Sequence, residues 1–212
     1  MPHSAQGEEH RSPQSLWWSA AVATWLVLMI LGGGITTPSP VALTVQSVAS
    51  VAIAVAAAWQ LRKGFPTWIS AAGCMLALLA LTLVLLQLVP MSPEMWTALP
   101  RRTLIAETYE AAGLPLPWRP LNLIPAEGYE SLLAMLPAIA GYLAALTLGA
   151  RNTIVLVAVI LGCALLGVLL ALMQKFGGPA NAIYFYDKPA GVAVGTFSNR
   201  NFLGAQLFTA VP

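Results

Sequence analysis

Apolar runs of about 20 residues, separated only by short polar punctuation, recur along this chain and leave it few ways to fold. A helical run of that length rises far enough to cross the hydrocarbon core of a bilayer. A membrane barrel needs strict apolar–polar alternation, and the runs here are unbroken, so they imply helices. Composition points the same way: 58% of the 212 residues are hydrophobic, only 8% are charged, and mean hydropathy is +0.76. The implied class is an all-α, multi-pass transmembrane helix bundle. A net charge of +2 and a pI near 8.7 are too mild for a nucleic-acid partner, and no basic tract interleaved with aromatics exists. Cys74 and Cys163 each fall inside an apolar run with no metal or redox spacing, and read as packing residues.

Residues 1–15 are polar, hold both histidines, His3 and His10, and are expected to form a disordered tail. A cleaved signal peptide does not fit, because Glu8 and Glu9 precede the first apolar run and no Ala-x-Ala site follows closely. Residues 16–89 hold three expected spans: Trp17 to Ile35, Val41 to Leu61, and Trp68 to Val89. The second is dense in small residues, among them Ser47, Ala49, Ser50, Ala54 and Ala58, which let neighbouring helices approach closely and place it inside the bundle.

Residues 90–130 form the longest interruption, with five of the eight acidic residues, and are expected to lie outside the cell membrane. Within them, Arg101 to Ala112 has helical composition and stops before Gly113; Leu104, Ile105, Thr108, Tyr109 and Ala112 make one face of a short helix lying flat on the surface. Glu107 and Glu110 sit on neighbouring turns of a solvated face, not as a catalytic carboxylate pair. Pro115, Pro117 and Pro120 keep the next piece extended, carrying Trp118 and Arg119 either as a sugar platform with an anion contact or as an interfacial anchor. Residues 131–173 carry two more spans, the first starting as early as Pro125 or Tyr129 and bent at Pro137, the second from about Thr153. Residues 174–200 are a second outer loop, in which Tyr184-Phe185-Tyr186-Asp187-Lys188 can stack on sugar rings or serve as an aromatic belt. Residues 201–212 start a helix too short to cross, so five complete spans and a truncated sixth are expected, with the chain as the N-terminal part of a longer one.

Arg11, Arg62 and Lys63 argue for a cytoplasmic N-terminus. The full tally opposes it, with Arg101, Arg102, Arg119, Lys175, Lys188 and Arg200 then outward against those three and Arg151 inward. Early short loops dominate orientation, and a phosphate-binding loop has its own reason to carry cations, so the N-terminus is kept inside.

The polar cluster ahead of residue 201 carries the most specific chemistry. A helix beginning near Ser198 or Asn199 would set unpaired N–H groups and a positive dipole end beside Arg200. The guanidinium fork suits phosphate oxygens, and Asn199 and Asn201 can donate amide hydrogens to a diphosphate or a sugar. The alternative is an ordinary helix cap with Arg200 reaching to lipid headgroups.

The run Gly195-Thr196-Phe197-Ser198-Asn199-Arg200-Asn201 resembles a signature of the bacterial O-antigen ligase and O-antigen polymerase family, where Gly-Thr-Phe-x-Asn-Arg-Asn or Gly-Thr-Phe-x-Asn-Pro-Asn opens a transmembrane helix. Upstream, Trp118-Arg119-Pro120-Leu121-Asn122-Leu123-Ile124-Pro125 followed by Glu130-Ser131-Leu132-Leu133 is similar to a second family pattern, usually Leu-Ser-Leu-Asp-Pro before a helix. Ile124 stands where that pattern has an aspartate. The resemblance implies a bacterial inner-membrane enzyme that moves a sugar chain from undecaprenyl diphosphate to a hydroxyl acceptor on a lipid or glycan. It implies substrate binding by Arg200, Asn199 and Asn201, with Arg119 as a second cation; Tyr186 joins them from the aromatic cluster. No metal, cofactor or nucleotide sugar is required, because the donor is already an activated diphosphate ester. The family's base lies in a large outer loop of its second half, so none is assigned here and the chain alone is expected to be inactive. A polymerase of the same family and a non-catalytic transporter or scaffold subunit are the competing readings.

Overall fold

A computed structural model describes residues 13–32, 40–62, 64–148, 150–177, 184, 192–197 and 199–210. It is 78% helical. The helices and two short strands run α1 (Pro13–Gly32), α2 (Pro40–Leu61), α3 (Trp68–Leu88), β1 (Pro90–Met91), α4 (Pro93–Thr97), α5 (Thr103–Ala111), β2 (Arg119–Pro120), α6 (Pro125–Thr147), α7 (Ala150–Phe176) and α8 (Arg200–Ala210). Among the described residues, four helices are long and apolar enough to cross a membrane: α2, α3, α6 and α7. The apolar part of α1, Leu16–Gly32, is shorter than those four.

The chain divides into two compact units, one from Met1–Leu61 with Ala140–Pro212 and one from Arg62–Ile139. The division falls within α6, two residues beyond Pro137, whose ring nitrogen cannot donate the usual helical hydrogen bond.

In the first unit α1 packs on α2 and α7. Its core gathers Val22, Trp25, Ile53, Ala140 and Ala144. Bulk and small residues alternate across the contact: a Cβ on Gly141 would come 3.3 Å from the edge of the Trp25 ring, so the indole occupies space that small residues on α6 leave open. Polar bonds between these helices then fix the pairing. Trp25 Nε1 donates to Ser50 Oγ at 3.2 Å, Ser50 Oγ donates to the Gln46 carbonyl at 2.7 Å, and Trp18 Nε1 donates to Thr147 Oγ1 at 2.9 Å. Helix α2 is inverted relative to a soluble helix. Ser47, Ser50 and Ala57 are buried while Val41, Val45, Val48, Val51 and Val55 are exposed, so its small and polar face packs on protein and its valines face where lipid would be.

In the second unit the stretch between α3 and α6 is closed by long-range bonds. Helix α3 is capped by Thr67, whose Oγ1 accepts from Ser70 N–H at 3.1 Å. Beyond its far end β1 pairs antiparallel with β2, Pro90 opposite Pro120 and Met91 opposite Arg119, and Asn122 N–H donates to the Gln87 carbonyl at 2.9 Å. Two-residue strands containing proline cannot form a long ladder, so side chains complete the joint. Arg102 is 4% exposed and donates from Nη2 to the Pro120 carbonyl at 3.4 Å and to the Leu121 carbonyl. Asn122 Oδ1 accepts from Ile124 N–H at 2.9 Å, an Asx turn that leads the chain into α6 in the place where Ile124 itself offers no capping group. At the start of α4 the Ser92 hydroxyl bonds to Glu94 and holds its carboxyl below the usual range, which makes the contact one that weakens as acid protonates it.

Trp96 is fully buried, with Nε1 donating to the Pro117 carbonyl at 2.8 Å. Phenylalanine at this position keeps most of the packing and leaves that carbonyl unpaired, a loss of about 1–2 kcal/mol. Trp96→Phe is therefore expected to speed amide exchange across residues 93–120 by about tenfold. Unchanged exchange there would mean that the indole N–H does not hold the joint.

Candidate functional site

The site builds from one glutamine near the end of α7. Gln174 is 1% exposed. Its Oε1 accepts from the N–H groups of Val194 and Gly195, each at 2.8 Å, and its Nε2 donates to the Gly195 carbonyl at 2.8 Å. A single amide thus satisfies three backbone groups of the turn that precedes α8. The turn closes on itself with Phe197 N–H donating to the Val194 carbonyl at 3.1 Å.

Gly195 is required by the geometry twice over. Its φ is +60°, in the left-handed region, and a Cβ would come 2.9 Å from the Gly167 carbonyl oxygen. Gly167 lies seven residues before Gln174 on the same helix, roughly 10 Å along its axis. The turn therefore lies alongside the last turns of α7, not beyond its end. Backbone groups buried against a helix must find partners in the protein, which is what the Gln174 amide supplies. Below the turn, Ala171, Phe197 and Leu203 pack together, with Ala193 and Leu207 against them.

This lock delivers Asn199, Arg200 and Asn201 together at the start of α8. Asn199 is the cap: its Oδ1 accepts from Asn201 N–H at 2.9 Å and its carbonyl accepts from Phe202 N–H at 3.1 Å. Its side-chain oxygen is committed to the helix, leaving its NH₂ to donate outward. Arg200 and Asn201 are exposed, and the Arg200 guanidinium has no partner among the described residues. Two buried polar groups close by also lack partners among the described residues, the Thr196 hydroxyl on the turn and the Gln206 amide, whose Oε1 lies 3.3 Å from a Cβ placed on Gly167.

The other expected residues fall elsewhere. Arg119 belongs to the second unit, half-buried on β2, with its guanidinium carbon 5.9 Å from the centre of the Tyr109 ring. Tyr186 lies outside the described residues. Its neighbour Tyr184 donates from its hydroxyl to the Gln174 carbonyl at 3.2 Å, bracing the same end of α7.

No family model, curated protein or solved structure matches this chain. The chemistry must therefore be read from the residues. At the head of α8 they offer a planar cation, amide hydrogens and a helix N-terminus, a set suited to phosphate oxygens. Among the described residues no three His, Cys, Asp or Glu side chains gather as a metal site would require.

Gln174 was not legible as part of the site. A glutamine ahead of Lys175 at the close of an apolar run signals a polar side chain in need of a partner, but not that the partner lies 20 residues onward.

Proposed function

We propose that this chain belongs to a bacterial inner-membrane glycosyl-transfer system of the O-antigen ligase type, in which a sugar chain moves from undecaprenyl diphosphate to a hydroxyl acceptor. The observation that carries the reading is the Gln174-locked turn, which leads to an exposed Arg200, without a partner among the described residues, beside a capped helix N-terminus. In such a reaction the bond between the sugar carbon and the diphosphate oxygen breaks, and negative charge grows on the departing diphosphate. Arg200 would bind two of its oxygens through the guanidinium fork, while Asn199 and Asn201 donate amide hydrogens. These residues hold the leaving group; removal of the acceptor's proton is assigned to no residue of this chain. The same grip serves a polymerase, whose donor carries the same diphosphate. The membrane arrangement proposed with it has five spans, α1 among them, and a cytoplasmic N-terminus, which sets the head of α8 at the outer surface.

Binding tests the reading directly. Detergent-purified protein is titrated with undecaprenyl diphosphate and separately with undecaprenyl monophosphate. The diphosphate is expected to bind more tightly, and Arg200→Ala to weaken it by about 10- to 100-fold, as loss of charge-assisted hydrogen bonds implies. Equal affinity of wild type and variant for the diphosphate would remove Arg200 from the site.

A further inference from the structure

We infer that the second unit carries a separate binding groove for one acidic phospholipid of the surrounding leaflet, with its phosphate on Arg119 and its acyl chain along α5. The groove has a volume of about 400 Å³ and is lined by Ile105, Thr108, Tyr109, Ala112, Leu114 and Arg119. The inference does not depend on the glycosyl-transfer reading.

Three observations fix the occupant. The first is charge. At 100° per residue, Ile105, Thr108, Tyr109 and Ala112 share an arc of about 100° on α5, while Glu107 and Glu110 fall on the opposite side. The lining thus holds one cation and no acid, and the Thr108 hydroxyl is already turned to the Leu104 carbonyl at 2.7 Å. An anionic head with an apolar tail matches this surface; a sugar, which needs many hydrogen-bonding groups, does not.

The second is position. The β1–β2 register sets Arg119 opposite Met91, three residues past Leu88, where α3 ends. Helix α3 is one of those long and apolar enough to cross a membrane, so Arg119 stands at the level where such a helix meets headgroups. Trp118, 68% exposed beside it, is the kind of side chain that settles at that boundary. Of the anionic amphiphiles of a bilayer, an acidic phospholipid with its single phosphate matches the single cation of this groove better than a diphosphate does. The third is preorganisation. The guanidinium is held near the Tyr109 ring, and its backbone is paired to β1, so its fork is aimed before a phosphate arrives.

An arginine that merely reaches for headgroups would need no groove, and the test separates the two. Detergent-purified protein is incubated with phosphatidylglycerol or phosphatidylcholine, and retained lipid is counted by native mass spectrometry. Wild type is expected to retain one phosphatidylglycerol about tenfold more persistently than phosphatidylcholine. Arg119→Gln should abolish that preference. Ala112→Phe, which fills the groove and leaves the cation in place, should release the lipid as well; it also serves as the decisive variant should Arg119→Gln not fold. Melting curves without added lipid establish that each variant is folded. Retention by Ala112→Phe equal to wild type would overturn the groove, equal retention of the two lipids would overturn the role of Arg119, and displacement of the lipid by millimolar inorganic phosphate would show an anion site in place of a lipid site.

Discussion

Replacing Gln174 with methionine should unfasten the turn ahead of α8 and cost about 3 kcal/mol or more. Methionine has nearly the same length and flexibility, so side-chain volume changes little and the loss reports the amide. Three bonds of 2.8 Å vanish together, stranding the Val194 and Gly195 N–H groups and the Gly195 carbonyl in a buried turn. Each stranded group costs about 1–3 kcal/mol when water cannot reach it, and here the turn lies against the apolar body of α7. Amide exchange at Val194 and Gly195 is the cleanest readout, since both protons should change from strongly protected to rapidly exchanging while the Trp25 core of α1 and α2 stays protected. Protection of those two amides in the variant would mean that the turn is held by something other than Gln174.

The same glutamine shows where sequence reading stops. Spans Val41 to Leu61 and Trp68 to Val89 were legible because a transmembrane helix advertises itself locally, through a run of apolar residues bounded by prolines, tryptophans and charges; α2 and α3 lie on those residues to within one position. Of the expected face Leu104, Ile105, Thr108, Tyr109 and Ala112, the last four line one groove, because a 3.6-residue period survives even in a nine-residue helix, while Leu104 is left exposed. The head of α8 could be placed to within two residues because an Asn before an apolar segment is a capping signal. What was hidden is nonlocal. Two-residue strands have no period to detect, so the pairing of Met91 with Arg119 leaves no mark in either segment. Arg102 reads as a surface charge next to Arg101, and only the fold shows its guanidinium buried on the carbonyls of Pro120 and Leu121. Hydropathy sees composition, whereas both of these pairings depend on where a distant backbone carbonyl ends up.

On the glycosyl-transfer reading proposed above, Arg200→Ala is expected to lower glycan transfer by about 100-fold in membranes of cells where the variant replaces the native copy, the range seen when one preorganised donor to a developing anion is removed. The side chain is exposed and makes no hydrogen bond or ion pair with the described residues, so insertion and helix packing should be unchanged. Arg200→Lys sharpens the interpretation. Lysine keeps the charge and loses the planar fork, so a diphosphate grip predicts an intermediate deficit, whereas simple attraction to acidic headgroups predicts nearly full activity from either cation. Asn199→Ala makes the third comparison. It removes the cap on Asn201 N–H and should destabilise the start of α8 by about 1 kcal/mol, a smaller loss that acts by letting Arg200 wander and by removing one neutral amide donor to the diphosphate. The ordering Ala at 200 worst, Lys at 200 intermediate and Ala at 199 mildest is what a cation held in place by a capped helix requires. Full transfer by an Arg200→Ala protein that inserts normally would leave headgroup contact as the whole role of that side chain.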